Sequence, residues 1–148
     1  MTSEEDPMAE VQRAEIALES LYHWHTVLIV DDDPQILSSL RRLLDREPYE
    51  VVTTDRPALA LEWIASKEVS LVISDQKMPE MAGDLFLEGV WQCSPGTRRV
   101  LLTAYPESVG GIPVARRQKV KILSKPWNDA ILKKTIRDLL RYREGSME

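Results

Sequence analysis

Val27-Leu28-Ile29-Val30-Asp31-Asp32-Asp33-Pro34 changes character within eight residues. Four apolar residues in succession suit a strand buried on both faces, the form that parallel sheets favour. Three carboxylates follow at once, and Asp33-Pro34 reads as a helix N-cap with proline in the first helical position. A buried strand that ends in acid and runs directly into a helix is the opening of a β/α unit.

The alternation continues downstream. Ile36, Leu37, Leu40, Leu43 and Leu44 form one apolar stripe of the first such helix. Tyr49 to Thr54 is rich in β-formers and makes a second strand. Residues 57–67 are helical, with Ala60, Leu61 and Ile64 facing inward. Val69 to Ser74 is a third strand, and Gly83 to Cys93 a helix that buries Phe86, Leu87 and Val90. Arg99 to Thr103 and Val120 to Ser124 are the fourth and fifth strands. Asn128 caps a last helix in which Leu132, Ile136, Leu139 and Leu140 share a face. Strands alternating with helices argue for an α/β fold, a doubly wound five-stranded parallel sheet with helices on both faces.

Upstream, residues 1–7 are polar and acidic and end at Pro7. Residues 8–22 place Val11, Ala14, Leu18, Leu21 and Tyr22 at helical spacing, which predicts a short amphipathic N-terminal helix. Its stripe is too short for a stable coiled coil, which favours packing on the domain over self-association as a homodimer. The expected division is an acidic tail and helix over 1–25, one domain over 26–143, and a tail over 144–148.

Composition excludes several classes. The chain has 148 residues, enough for one domain with its own core. With 29 % charged residues and no long apolar run, no membrane span is expected. A single cysteine, Cys93, and no visible secretory signal point to the cytoplasm. Glu4, Glu5, Asp6 and Glu10 carry all but one of the net −5 charge, so the body is near neutral. A direct nucleic-acid partner usually needs a basic face, so none is expected. His23 and His25 flank Trp24, but a metal site needs more ligands.

In doubly wound sheets the active groups lie beyond the carboxyl ends of the strands. The first strand ends at Asp31-Asp32, the third at Asp75, the fourth at Thr103 and the fifth at Lys125. Three carboxylates, a hydroxyl and an ammonium therefore meet at one rim. Clustered carboxylates repel unless a cation intervenes. Oxygen-only ligands at an open rim suit Mg²⁺. A carboxylate beside Mg²⁺ can accept a phosphoryl group as an acyl-phosphate, with the ion and Lys125 neutralising charge and Thr103 donating a hydrogen bond. A plainer reading, in which Asp31, Asp32 and Asp33 merely cap a helix, leaves two of them unexplained.

At these residues the sequence resembles the receiver domain of two-component response regulators. Val27 to Pro34 is similar to that family's opening strand and acidic pair. Leu71-Val72-Ile73-Ser74-Asp75-Gln76-Lys77-Met78-Pro79-Glu80-Met81-Ala82-Gly83 is similar to its phosphorylation loop, and Val100-Leu101-Leu102-Thr103-Ala104 and Ser124-Lys125-Pro126-Trp127 to its later motifs. The resemblance implies a flavodoxin-like strand order 2-1-3-4-5. It implies that Asp75 accepts phosphate from a histidine kinase or phosphotransfer protein and loses it slowly to water. It implies that Asp32, Asp75 and the Lys77 backbone carbonyl bind Mg²⁺ directly, with Asp31 acting through water. Thr103 and Lys125 would attend the phosphoryl group, and Lys125-Pro126 would be a cis bond. Signalling would run through the helix before the fifth strand, that strand and the last helix, to a downstream protein target.

The chain departs from the family on that surface. Ile122 stands where the family usually has Tyr or Phe, three residues before the lysine, and Tyr105 and Trp127 are the nearby aromatics. Gly110-Gly111-Ile112-Pro113 falls where a helix should run, and glycine and proline disfavour helix interiors by about 1 and 3 kcal/mol. That helix is therefore expected to be short, broken or mobile. Arg116, Arg117, Lys119 and Lys121 form a basic run after it. The ending Lys-Pro-Trp-Asn-Asp also resembles receivers joined to cyclic-di-GMP phosphodiesterase or other signalling domains. Two alternatives stand beside the receiver. One is a receiver-like scaffold that binds partners without phosphate. The other is a haloacid-dehalogenase-like phosphohydrolase, which needs a further acidic pair where this chain has only the separated Asp129 and Asp138.

Overall fold

A computed structural model describes residues 7–13, 25–106 and 119–141. Residues 7–13 are helical (α1), so this helix starts at Pro7, one residue before the expected position. The remaining part of the expected helix, His23, Gly110 to Pro113, Arg116 and Arg117 lie outside the described residues.

The described elements are, in order, β1 Thr26–Val30, α2 Pro34–Leu43, β2 Glu50–Thr54, α3 Pro57–Ser66, β3 Leu71–Asp75, α4 Gly83–Cys93, β4 Arg98–Thr103, β5 Val120–Ser124 and α5 Asp129–Arg141, with residues 107–118 between β4 and β5 outside the description. All strand pairs are parallel and the order is β2-β1-β3-β4-β5. The expected strand order is observed, and the expected helices that fall on described residues are observed with edges moved by one or two residues; the helix expected between the fourth and fifth strands lies outside the described residues.

Alternate residues of each strand explain the unbroken apolar runs. Val27 and Ile29 of β1, Leu71 and Ile73 of β3, and Val100 and Leu102 of β4 pack beneath Leu40 and Leu44 at the end of α2, and Leu132, Ile136 and Leu140 of α5. Leu28, Val72 and Leu101 point the other way, onto Ala60 and Ile64 of α3 and Phe86, Leu87 and Val90 of α4. The sheet thus has two apolar cores, and each fully buried aliphatic or aromatic side chain contributes about 1.5–3 kcal/mol. Among the described residues no helix is long and apolar enough to cross a membrane.

Helix starts place the functional rim. Asp33 caps α2 by accepting the Gln35 N–H at 2.9 Å, with Pro34 next. Asn128 accepts the Ile131 N–H at 3.0 Å and caps α5. Both caps sit directly after a strand, so the chain turns at the carboxyl edge and leaves Asp31, Asp32 and Lys125 there. His25, at the opposite edge, bonds the Ser70 hydroxyl at 2.8 Å.

Candidate functional site

Asp31, Asp32 and Asp75 each offer a carboxylate oxygen within 4.8 Å of the others. The structure therefore gathers the three carboxylates that the strand ends predict. Asp31 is only 2 % exposed, and both of its oxygens are engaged. One accepts the backbone N–H of Asp33 at 2.9 Å, the other the Lys125 ammonium at 3.0 Å. The same ammonium donates to Asp75 Oδ1 at 2.9 Å. Asp32 is exposed, and no described donor lies on Asp75 Oδ2.

Burial raises the Asp31 pKa above its usual value; the Asp33 N–H and Lys125 oppose this, and the nearby charge of Asp75 adds to it. Burial acts to lower the Lys125 pKa, but the hydrogen bonds its ammonium donates to Asp75 and Asp31 outweigh this and raise it. At neutral pH the rim is a cation held between two acids, with a third acid facing solvent.

Thr103 ends β4 and is buried. Its hydroxyl accepts the Tyr105 N–H at 3.0 Å rather than contacting a carboxylate. The backbone of Thr103 accepts the Lys125 N–H at 2.8 Å, which ties the ends of β4 and β5 together. The Lys125–Pro126 bond is cis, as the resemblance implied. The Lys77 ammonium lies over the Tyr105 ring, 4.8 Å from its centre. An open cleft of about 720 Å³ beside the rim is walled by Gln76, Met78, Thr103 and Tyr105.

Two residues that sequence reasoning did not single out hold Asp75 in place. Gly83 brings its backbone against β3: a Cβ there would stand 2.0 Å from the Asp75 carbonyl oxygen. Its N–H donates to the Gln76 carbonyl at 2.8 Å. Gln76 then caps α4 from outside, accepting the Asp84 N–H on Oε1 at 2.8 Å. The available signal was Ala82, an N-cap residue with no oxygen to offer, which obliges another side chain to do the work. The Ser74 hydroxyl also donates to the Asp75 carbonyl at 2.8 Å.

Ile122 sits in β5 opposite Leu101 and is half-buried against the α3/α4 core. Tyr105 is exposed at 53 %. Trp127 donates its indole N–H to Asp129 at 3.0 Å.

A doubly wound parallel sheet that carries an acidic triad and a lysine at its carboxyl rim has the architecture of a receiver domain, and the family comparison agrees. Residues 27–137 match the response regulator receiver domain, and the chain belongs to that family. It is 33 % identical over 114 residues to the transcriptional regulatory protein GlrR of Escherichia coli, covering 77 % of this chain and 26 % of GlrR. The chain thus spans about a quarter of that relative's length. Among solved structures, the signal receiver domain of an HD domain-containing protein from Pseudomonas fluorescens is 34 % identical with a TM-score of 0.68, covering 80 % of this chain and 88 % of that one. The response regulator TrrA of Thermotoga maritima, solved with Mg²⁺ and beryllofluoride, is 27 % identical with a TM-score of 0.68, covering 78 % of this chain and 98 % of that one.

Proposed function

We propose that this receiver, bounded by residues 26–143, takes a phosphoryl group onto Asp75 from a histidine kinase or phosphotransfer protein. One observation carries the reading: Lys125 bridges Asp31 and Asp75, and Asp32 adds a third carboxylate within 4.8 Å. Lys125 occupies Oδ1, so Oδ2 is the oxygen free to attack phosphorus. The new bond is Oδ2–P, the broken bond is from phosphorus to the donor, and the donor leaves with its electron pair. The product is an acyl-phosphate, which water cleaves slowly without a further substrate.

Hard oxygen donors at this spacing suit Mg²⁺. Asp32 and Asp75, with the Lys77 carbonyl, would hold the ion, and Asp31 would reach it through water. Asp31 suits the indirect part because both of its oxygens are already engaged. The Lys77 side chain, turned onto Tyr105, leaves its carbonyl as the only group of that residue the reading requires. When bound, Mg²⁺ neutralises charge on the phosphoryl oxygens. Lys125 does the same from the other side, and Thr103 turns its hydroxyl from the Tyr105 N–H to a phosphoryl oxygen.

The charge change then biases a two-state surface. We place that surface on β5, α5 and the segment before β5, where it meets a downstream protein in the cytoplasm. The half-buried Ile122 means that a swinging aromatic at that position is not the device here.

Beryllofluoride, a stand-in for the phosphoryl group, tests the reading by thermal unfolding. With Mg²⁺ present it raises the Tm of the parent, and at a hundred times its Kd the gain is about 2.7 kcal/mol. Asp75→Asn removes the beryllofluoride-dependent rise. An equal rise in Asp75→Asn, or none in the parent, contradicts the proposal and favours the phosphate-independent scaffold.

A further inference from the structure

A second charged site lies away from the acceptor. Arg41 and Arg42 in the last turn of α2, Arg46 in the following turn and Lys133 of α5 line a groove of about 710 Å³, with Asp45 as its one acid. Arg41 stands well beyond the Asp33 cap, roughly 12 Å along the helix from the rim. The three arginines are exposed and Lys133 is half-buried. Arg41 donates to the neutral Thr53 hydroxyl at 3.2 Å, which steadies it. Among the described residues none of the four cations has a carboxylate partner in a salt bridge.

Helix-dipole compensation accounts for basic residues in the last turn of α2. It does not account for Arg46, which lies beyond the helix, or for Lys133, which comes from another helix. Like charges gathered at one hollow repel each other, and an anion that enters it removes that cost.

Size and charge select the anion. The hollow is as large as a small-ligand site, whereas a protein partner would cover about 800 Å² with 20–30 residues. Four cations against one acid leave three positive charges in excess. Two linked phosphoryl groups carry about three negative charges at neutral pH. Three of the four cations are guanidinium groups, whose planar fork matches phosphoryl oxygens two at a time. Lys133 adds a compact charge from the other helix.

We propose that the groove of Arg41, Arg42, Arg46 and Lys133 binds a diphosphate group, either free or as part of a nucleotide. The site is separate from Asp75 and requires no metal. Its ligand bridges α2 and α5, because the cations come from both.

Calorimetric titration of the full-length chain with inorganic diphosphate, in metal-free buffer, tests this. The expected result is one diphosphate bound per chain, and bound more tightly than citrate, which carries a similar charge on carboxylates. The affinity falls about ten-fold in the double variant Arg42→Gln with Arg46→Gln, and falls also in 0.5 M salt, where the Debye length is only about 4 Å. The same double variant responds to beryllofluoride as the parent does, so failure at the groove and failure at Asp75 are read separately. Titration with ADP distinguishes the sources: binding no tighter than diphosphate assigns the free anion, and tighter binding assigns a nucleotide. No binding of diphosphate at millimolar concentration overturns the proposal. Equal affinity in the double variant overturns it as well, because the anion then sits elsewhere. Citrate bound as tightly as diphosphate also contradicts it, because the groove then has no preference for phosphate.

Discussion

Asp31 is the residue at which the rim's electrostatics is most exposed to test. Its carboxyl is buried beside Asp75, and its pKa is raised. A raised carboxyl binds its proton more tightly folded than unfolded. Stability therefore falls as pH rises through the usual carboxylate range to the folded value, and stays reduced above it. Lys125 has the opposite sense: its pKa is raised, so its contribution is complete below the usual 10.5 and is lost only as pH climbs beyond that. Asp31→Asn removes an expensive charge and keeps an oxygen for Lys125. In the metal-free protein it should raise Tm at pH 7, by a margin that shrinks as pH falls to 4. A Tm at pH 7 that is unchanged or lower would show that the pair with Lys125 outweighs burial. That Asp31, Asp32, Asp75 and Lys125 gather at one rim, with Thr103 ending β4 at the same edge, was legible in the sequence, because each lies at the end of a strand in a fold whose ligands gather there. What each oxygen does was not legible, since that depends on which neighbour reaches it first.

At the scale of elements, the loop from Asp75 to Gly83 shows where local signals run out. Asp33-Pro34 and Asn128 announce their caps within four residues, and both caps formed. The start of α4 is different, because its cap oxygen comes from Gln76, eight positions before the Asp84 N–H it accepts. Gly83 is needed because two stretches of backbone meet there, a property of tertiary approach with no periodicity to reveal it. Gly83→Ala should cost about 3 kcal/mol by forcing the loop off β3. Urea unfolding measures this as a lower midpoint at unchanged slope. Because the atom struck is the Asp75 carbonyl, the variant should also lose beryllofluoride binding. A wild-type midpoint in Gly83→Ala would mean that the contact of the two backbones relaxes at no cost. Ile122 belongs to this scale too. It departs from the family's usual aromatic, and its place against the α3/α4 core gives it a packing role.

Across the whole molecule, the alternation of apolar runs and amphipathic stripes specified parallel pairing and both cores, and the strand order followed from the family resemblance. Buried strands have no polar face to confuse the period, and helical crossovers of this length are what parallel pairing requires. The same regularity places Asp75 at one edge of the sheet and the start of β1 at the other. The hollow lined by Arg41, Arg42, Arg46 and Lys133 was not legible in the sequence, because Lys133 comes to the other three from α5, far along the chain. The central claim remains the chemistry of Asp75. Its most direct test is the intact mass of the full chain after incubation with Mg²⁺ and a small acyl-phosphate donor, with Asp75→Asn treated in parallel. The parent should gain one phosphoryl group and lose it again on standing, while Asp75→Asn stays unmodified. A gain in both proteins, or in neither, would contradict Asp75 as the acceptor.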